Sequence, residues 1–176
     1  MGRSAYDDLL AFPKDARKEA GFQLGKVQAG LEPTDWKPFD DVGAGTREIR
    51  IRDLSGIYRV MYDEKVMKID TVVRHVTKPG SNLFLELGFT PDEAKRLHAA
   101  SRKQINDTRL LKQQLMEELS GWIAQHRLKQ SEAAEILMVS RPRVSDVVNK
   151  KTTKFTIDTL VEMLSRIGRP VKLAIS

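Results

Sequence analysis

Cysteine is absent from all 176 residues, so neither a disulfide nor a thiolate metal site is open to the chain, a composition that suits a reducing compartment. The three histidines, His75, His98 and His126, are scattered and give no metal-ligand spacing. No apolar run approaches the roughly 20 residues that cross a bilayer. The opening M-G-R-S-A-Y-D-D also lacks the apolar stretch of a signal peptide. Neither a Gly-rich phosphate loop nor a nucleophile motif occurs. These absences lead to the expectation of a soluble cytoplasmic protein with no membrane association, no metal, no cofactor and no catalytic residue.

Positive charge is present in excess, and it is unevenly placed. The net charge is +6. Residues 1–79 carry 14 Lys/Arg against 13 Asp/Glu, whereas 80–176 carry 16 against 11. Over 127–154 seven basic residues face three acidic ones, a patch that suits a polyanion. A chain of 176 residues has room for one ordinary domain or two small ones.

The basic patch contains Q-S-E-A-A-E-I-L-M-V-S-R-P-R-V-S, Gln130 to Ser145, whose grammar is that of a helix-turn-helix. Gln130 is a polar opener, small Ala134 marks a close helix crossing, Met138, Val139 and Ser140 form the joint, and Val144 is apolar on the second helix. Ile136, Leu137 and Val139 are expected to feed the core. Ser140 stands as N-cap of a helix over 141–148 that opens Arg141, Pro142, Arg143. Proline is tolerated there because the first amides of a helix have no intrahelical partner. Arginines at such a start are placed to meet base edges in the major groove. The expected base contacts are Arg141, Arg143, Ser145 and Asp146, with Arg143 best suited to guanine. Gln130, Asn149, Lys150 and Lys151 are expected to hold phosphates, the last three from a polar loop over 149–154.

Nearer the N-terminus, Tyr6, Leu9, Leu10 and Phe12 predict a short helix that Pro13 interrupts. Ala16, Ala20, Leu24 and Val27 predict a longer one over 14–29, ended by Gly30. Residues 31–45 read as a loop pinned by Trp36 and Phe39. The period then changes to two: a strand over 46–52 buries Ile49 and Ile51 and exposes Glu48, Arg50 and Arg52. A turn at 53–56, a second strand over 57–62 and a third over 66–73 follow.

The run W-K-P-F-D-D-V-G-A-G-T-R-E-I-R-I-R-D-L-S-G-I-Y-R-V-M-Y, Trp36 to Tyr62, resembles the HigB-like (phage Gp49-like) branch of the RelE-type toxins, small ribonucleases that cut messenger RNA. The resemblance covers about residues 4–72 and rests chiefly on R-E-I-R-I-R and Y-R-V-M-Y. It departs where such toxins carry a basic last segment with a His or aromatic residue and a Lys-Thr pair. Here the chain reads R-H-V-T-K-P-G, which leaves His75 and Lys78 as the only local groups for proton transfer and charge stabilisation. Arg47, Arg50, Arg52 and Arg59 remain as phosphate-holding candidates, but no active ribonuclease is expected.

From Arg74 to Phe89 the chain resembles the start of HigA-type antitoxins of the XRE helix-turn-helix family, and it keeps to that pattern to its end. Two residues depart from the family grammar: Lys129 stands where a capping Thr is common, and Met138 where Gly often relaxes the turn. Thr90-Pro91-Asp92-Glu93 is a strong helix start. A leading helix with Ala94, Leu97 and Ala100, a polar break over 101–108 and a long helix over 109–126 are expected. Leu111, Leu115, Leu119, Trp122 and Ile123 form the core stripe of that long helix. Thr156 caps a last helix carrying Ile157, Leu160, Val161, Leu164 and Ile167, and residues 171–176 alternate like a strand that the resemblance suggests pairs across a dimer.

The expected class is therefore α+β: a partial RelE-like helix-then-antiparallel-sheet segment over 1–73, a linker and leading helix over 74–108, and an all-α, lambda-repressor-like helix-turn-helix domain with a terminal strand over 109–176. The expected function is sequence-specific binding of double-stranded DNA near the chain's own promoter, as a homodimeric, antitoxin-like regulator with a RelE-like toxin as possible partner. The alternatives are a toxin-neutralising interaction protein and an RNA-cleaving toxin fused to its antitoxin.

Overall fold

A computed structural model describes residues 5–39, 41, 45–63 and 80–172, and the chain divides into two compact units, 1–104 and 105–176. In the first unit, α1 (Ala5–Leu10) stops ahead of Pro13 and α2 (Lys14–Gln28) starts after it. Gly30 takes φ 72, which lets the Leu31 amide reach the Lys26 carbonyl at 2.9 Å and close α2. The strands β1 (Trp36–Pro38), β2 (Thr46–Asp53) and β3 (Gly56–Asp63) form an antiparallel sheet in that order. As the alternation predicts, Ile49 and Ile51 point to one face, where they form a buried cluster with Ala16 and Ala20 of α2. Asp53 shapes the hairpin tip by accepting the amides of Ser55 at 2.6 Å and Gly56 at 3.1 Å.

Two features of the sheet differ from the sequence reading. The 31–45 loop contains β1, a three-residue edge strand short enough to tolerate Pro38, with Trp36 opposite Ile49. Glu48, expected to be exposed, is wholly buried. Cations converge on it from both neighbouring strands, Lys37 Nζ at 4.0 Å and Arg59 Nη1 at 3.6 Å, which compensates a charge that burial alone would penalise.

A short helix absent from the sequence reading, α3 (Leu83–Glu86), is opened by Asn82, whose side chain accepts the Phe84 amide at 3.1 Å. Leu83, Phe84, Leu87, Phe89 and Ala94 make a second apolar cluster with Leu9, Phe22, Leu24 and Leu97. Phe84 lies so close to α2 that a Cβ on Gly21 would stand 2.5 Å from its ring. Arg17 Nη1 donates to the Leu87 carbonyl at 3.0 Å, Tyr6 donates to the Glu86 carbonyl, and Lys14 pairs with Glu93 at 2.5 Å. The portion of 74–108 that the structure describes up to residue 104 thus packs as part of the N-terminal unit.

The capping box at Thr90 forms as the sequence predicts: its hydroxyl accepts the Glu93 amide at 3.4 Å and donates to the Glu93 carboxylate at 3.0 Å. The helix it opens, α4 (Pro91–Gln125), is continuous for 35 residues and has no break over 101–108. That stretch contains neither Pro nor Gly, and Leu97, Ser101 and Ile105 preserve the i, i+4 spacing, with Ser101 and Ile105 buried. Polarity alone does not stop a helix.

The second unit joins the end of α4 to α5 (Gln130–Ile136), α6 (Arg141–Val148), a 3-10 turn (Thr152–Lys154) and α7 (Ile157–Arg166). Leu115, Met116, Leu119, Trp122 and Ile123 of α4 enclose a core with Ala133, Ala134, Leu137, Val144, Val147, Phe155, Leu160, Met163 and Leu164. Thr156 caps α7 by accepting the Thr159 amide at 3.2 Å. Ile136, expected in the core, is 43% exposed, because Leu137, about 100° further round the helix, takes the inward position. Val171 packs against this core without forming a strand, and 173–176 lie outside the described residues, as do the strand expected over 66–73 and the groups His75 and Lys78.

Gly21→Ala should overpack the α2–α3 contact and cost about 1–3 kcal/mol. Gly121→Ala, on an open face of α4, should be neutral or stabilising by up to about 1 kcal/mol. Urea denaturation of the two variants checks this, and equal midpoints would contradict the close approach of Phe84.

Candidate nucleic-acid interface

The direction in which α6 leaves α5 is fixed by the joint. Met138 takes φ 52, its amide reaches the Glu135 carbonyl at 3.2 Å, and the Val139 amide reaches Ala134 at 3.0 Å. A side chain in this left-handed conformation costs roughly 1–2 kcal/mol. Arg127 after α4 and Lys150 after α6 make the same closure without glycine, at φ 52 and 53. From α7, Arg166 donates to the Leu137 carbonyl at 2.6 Å and pairs with Glu162 at 3.4 Å, so the C-terminal end of α5 is tied from outside its own helix.

The helix starts on either side of the joint are capped incompletely. The Lys129 amide donates to Glu132 Oε2 at 2.7 Å, which is half a capping box, since an ammonium cannot accept the reciprocal bond. Ser140 has the extended backbone of an N-cap, but its hydroxyl makes no capping bond. Pro142, at the second helical position, has no amide to offer, and the Arg143 amide bonds instead to the Ser140 carbonyl at 2.9 Å.

Val144 and Val147 face the core, which leaves Ser145, Asp146 and Asn149 on the outer side of α6. Arg141 is exposed at the N-terminal end and has no partner among the described residues. Arg143 is half-buried, with its guanidinium 4.4 Å from the centre of the Phe155 ring. Asp146 accepts from Lys151 Nζ at 2.8 Å. That hydrogen bond, helped by the charges of Lys151, Lys154 and Arg143, holds the Asp146 carboxyl below its ordinary value, so it is ionised at neutral pH. Asn149 donates to the Ser145 carbonyl at 2.8 Å and to its hydroxyl at 3.3 Å, closing the end of α6. Lys150 pairs with Glu117 of α4 at 2.6 Å. Gln130 is the half-buried first residue of α5.

All eight residues named from sequence therefore lie on α5, α6 or the turn that follows, and Asp146, Asn149, Lys150 and Lys151 already have partners within the chain. Sequence reasoning missed Phe155, Glu117, Arg166 and the buried Lys112, whose ammonium reaches the Thr152 carbonyl at 3.4 Å. Phe155 carried a local signal, an aromatic residue closing a polar loop; the others act across 29 or more residues and left none.

In the N-terminal unit the strand arginines are also engaged. Arg50 pairs with Asp35 at 2.6 Å, Arg52 approaches the same carboxylate at 3.7 Å, Arg59 faces Glu48, and the Arg47 guanidinium lies 4.0 Å from the Trp36 ring centre. Among the described residues no group of His, Asp and Glu is arranged to hold a metal.

Residues 97–176 match the family model described as helix-turn-helix domain, and residues 7–82 match that described as phage derived protein Gp49-like, a family of phage RelE-like toxins. No curated protein and no solved structure matches the chain. A helix-turn-helix domain implies DNA binding, and a Gp49-like domain implies a toxin–antitoxin setting.

Arg166→Met keeps the aliphatic stem but removes the charged donor to Leu137. It should cost about 1.5–3 kcal/mol in chemical denaturation, and a loss below about 0.5 kcal/mol, the range of ordinary surface changes, would show that the joint does not depend on α7.

Proposed function

We propose that this chain, a Gp49-like toxin-family segment continued by a helix-turn-helix domain, is a HigA-like, XRE-type regulator that binds double-stranded DNA upstream of its own coding sequence as a homodimer. The observation that carries the proposal is the exposed start of α6, where Arg141 and Arg143 stand at the end that enters a major groove in this motif. Arg141, Arg143 and Ser145 read base edges, Arg143 held at a fixed angle by Phe155. Gln130, Asn149, Lys150 and Lys151 lie along phosphates. Asp146 is the eighth candidate, and its carboxylate accepts from Lys151 in the absence of DNA.

Fluorescence anisotropy with the upstream duplex and a scrambled duplex tests the proposal. Arg141→Ala/Arg143→Ala should remove discrimination between the two, at about 1–3 kcal/mol per lost base contact. Equal binding of both duplexes by the unaltered chain would reject sequence-specific recognition.

We assign no ribonuclease activity to the N-terminal unit, because Arg50, Arg52 and Arg59 direct their charge to Asp35 and Glu48. One observation favours a second role in neutralising an intact toxin: Leu83, Phe84, Leu87 and Phe89, just ahead of the helix-turn-helix domain, pack on the Gp49-like helices within this chain. On translating ribosomes the chain should leave messenger RNA intact and should suppress cutting by an intact Gp49-like toxin from the same genome. Cutting by the chain itself, lost in Arg59→Ala, would establish the enzyme instead, and failure to suppress would remove the second role.

A further inference from the structure

The basic loop that follows α6 is neutralised from within. Lys150 bonds to Glu117 at 2.6 Å and Lys151 to Asp146 at 2.8 Å, so the two lysines nearest the end of α6 each have a carboxylate as counter-charge. Both ammonium groups are open to solvent, Lys150 at 44% and Lys151 at 52% exposure, so water and a DNA phosphate can both compete for them. Lys150 also occupies a left-handed position, φ 53, where glycine would be free of strain, so its side chain is presented at a backbone cost. On the other side of the loop, the buried Lys112 grips the Thr152 carbonyl.

We propose that Glu117 and Asp146 restrain the affinity of this domain for DNA: they compete with DNA phosphates for Lys150 and Lys151 and so lower affinity for any duplex, whatever its sequence, which leaves tight binding dependent on the base contacts of α6. The inference rests on the DNA-binding reading above. When a free lysine meets a phosphate, a condensed cation leaves the DNA and binding becomes salt-dependent. When the lysine must first leave a carboxylate, the ion pair it breaks is itself weakened by salt, and this offsets part of the salt dependence of the phosphate contact. The loop thus contributes less to nonspecific binding than its lysines would suggest, while a base-reading arginine with no carboxylate partner, such as Arg141, is unaffected.

The test uses the full chain with Glu117→Gln, Asp146→Asn, both together, and Glu118→Gln as control. Glu118 lies on the same helix as Glu117 but pairs with Arg169 at 2.9 Å, so its loss matches the charge change of either single variant without freeing a loop lysine. Binding of a random-sequence 20-base-pair duplex and of the upstream duplex is followed by anisotropy across a salt series. The double variant should bind the random duplex about 5- to 10-fold more tightly at low salt, with a log K against log salt slope steeper by up to about 0.9 for each freed lysine. Its affinity for the upstream duplex should rise by a similar factor, because phosphate contacts act uniformly across sequences, and Glu118→Gln should leave the slope unchanged. If the unaltered chain discriminates between the duplexes but the double variant has the same slope and random-duplex affinity, or if Glu118→Gln reproduces its effect, the inference is overturned and the DNA-binding reading stands. If no form of the chain binds either duplex, both readings fall.

Discussion

The left-handed turn at Met138 is the constraint on which the DNA-binding reading depends. It ends α5 at a fixed point, brings the Val139 amide back to Ala134, and sends the chain out through Ser140 into α6. Leu137, just before the turn, is fully buried, and Val144 and Val147 bury the inner side of α6 against the same core. With that side committed, the outer side of α6 has no freedom to rotate, and Arg141, Ser145 and Asn149 are presented together. Arg166 secures the arrangement by bonding the carbonyl of Leu137 from a helix that takes no part in the turn. Side chains at φ 52 to 53 after α4, α5 and α6 show a unit whose tertiary packing overrides a local backbone preference at every corner of the motif.

The N-terminal unit is organised by a different constraint, the charge on the outer face of its sheet. Glu48 is buried between Lys37 and Arg59, and Asp35 draws Arg50 and Arg52. The opposite face is closed by α2, and α2 in turn is covered by Phe84 and Leu87 from beyond the Gp49-like match, at a point where only Gly21 leaves room. Cationic side chains are thus held by internal carboxylates in both units, across the strands of one and beside α6 of the other.

Much of this was legible in the sequence where a local rule governed. The capping box at Thr90, the cap at Thr156, the closure at Gly30, the bounds of α6 and the inward placing of Ile49 and Ile51 each depend on residues a few positions apart. What was hidden depended on distant partners or on weak negative signals. A polar stretch without Pro or Gly did not interrupt α4, a three-residue strand formed from a Pro-containing loop because β2 offered an edge, and Glu48 was drawn inside by cations on two other strands. Ile136 and Leu137 are adjacent apolar residues, and periodicity did not decide which faces inward. The eight candidate contacts lie on α5, α6 or the turn that follows, yet the ion pair of Lys150 with Glu117 crosses 33 residues of chain and leaves no trace in local spacing.

The most direct test of the central claim is methylation protection of guanine N7 on the DNA upstream of the coding sequence, which probes the major groove alone. Entry of α6 from each subunit of a dimer predicts two protected clusters on one face of the duplex, separated by about 10–10.5 base pairs or a multiple of that spacing. Uniform weak protection, or protection confined to the phosphate backbone with every N7 still reactive, would contradict base reading by α6.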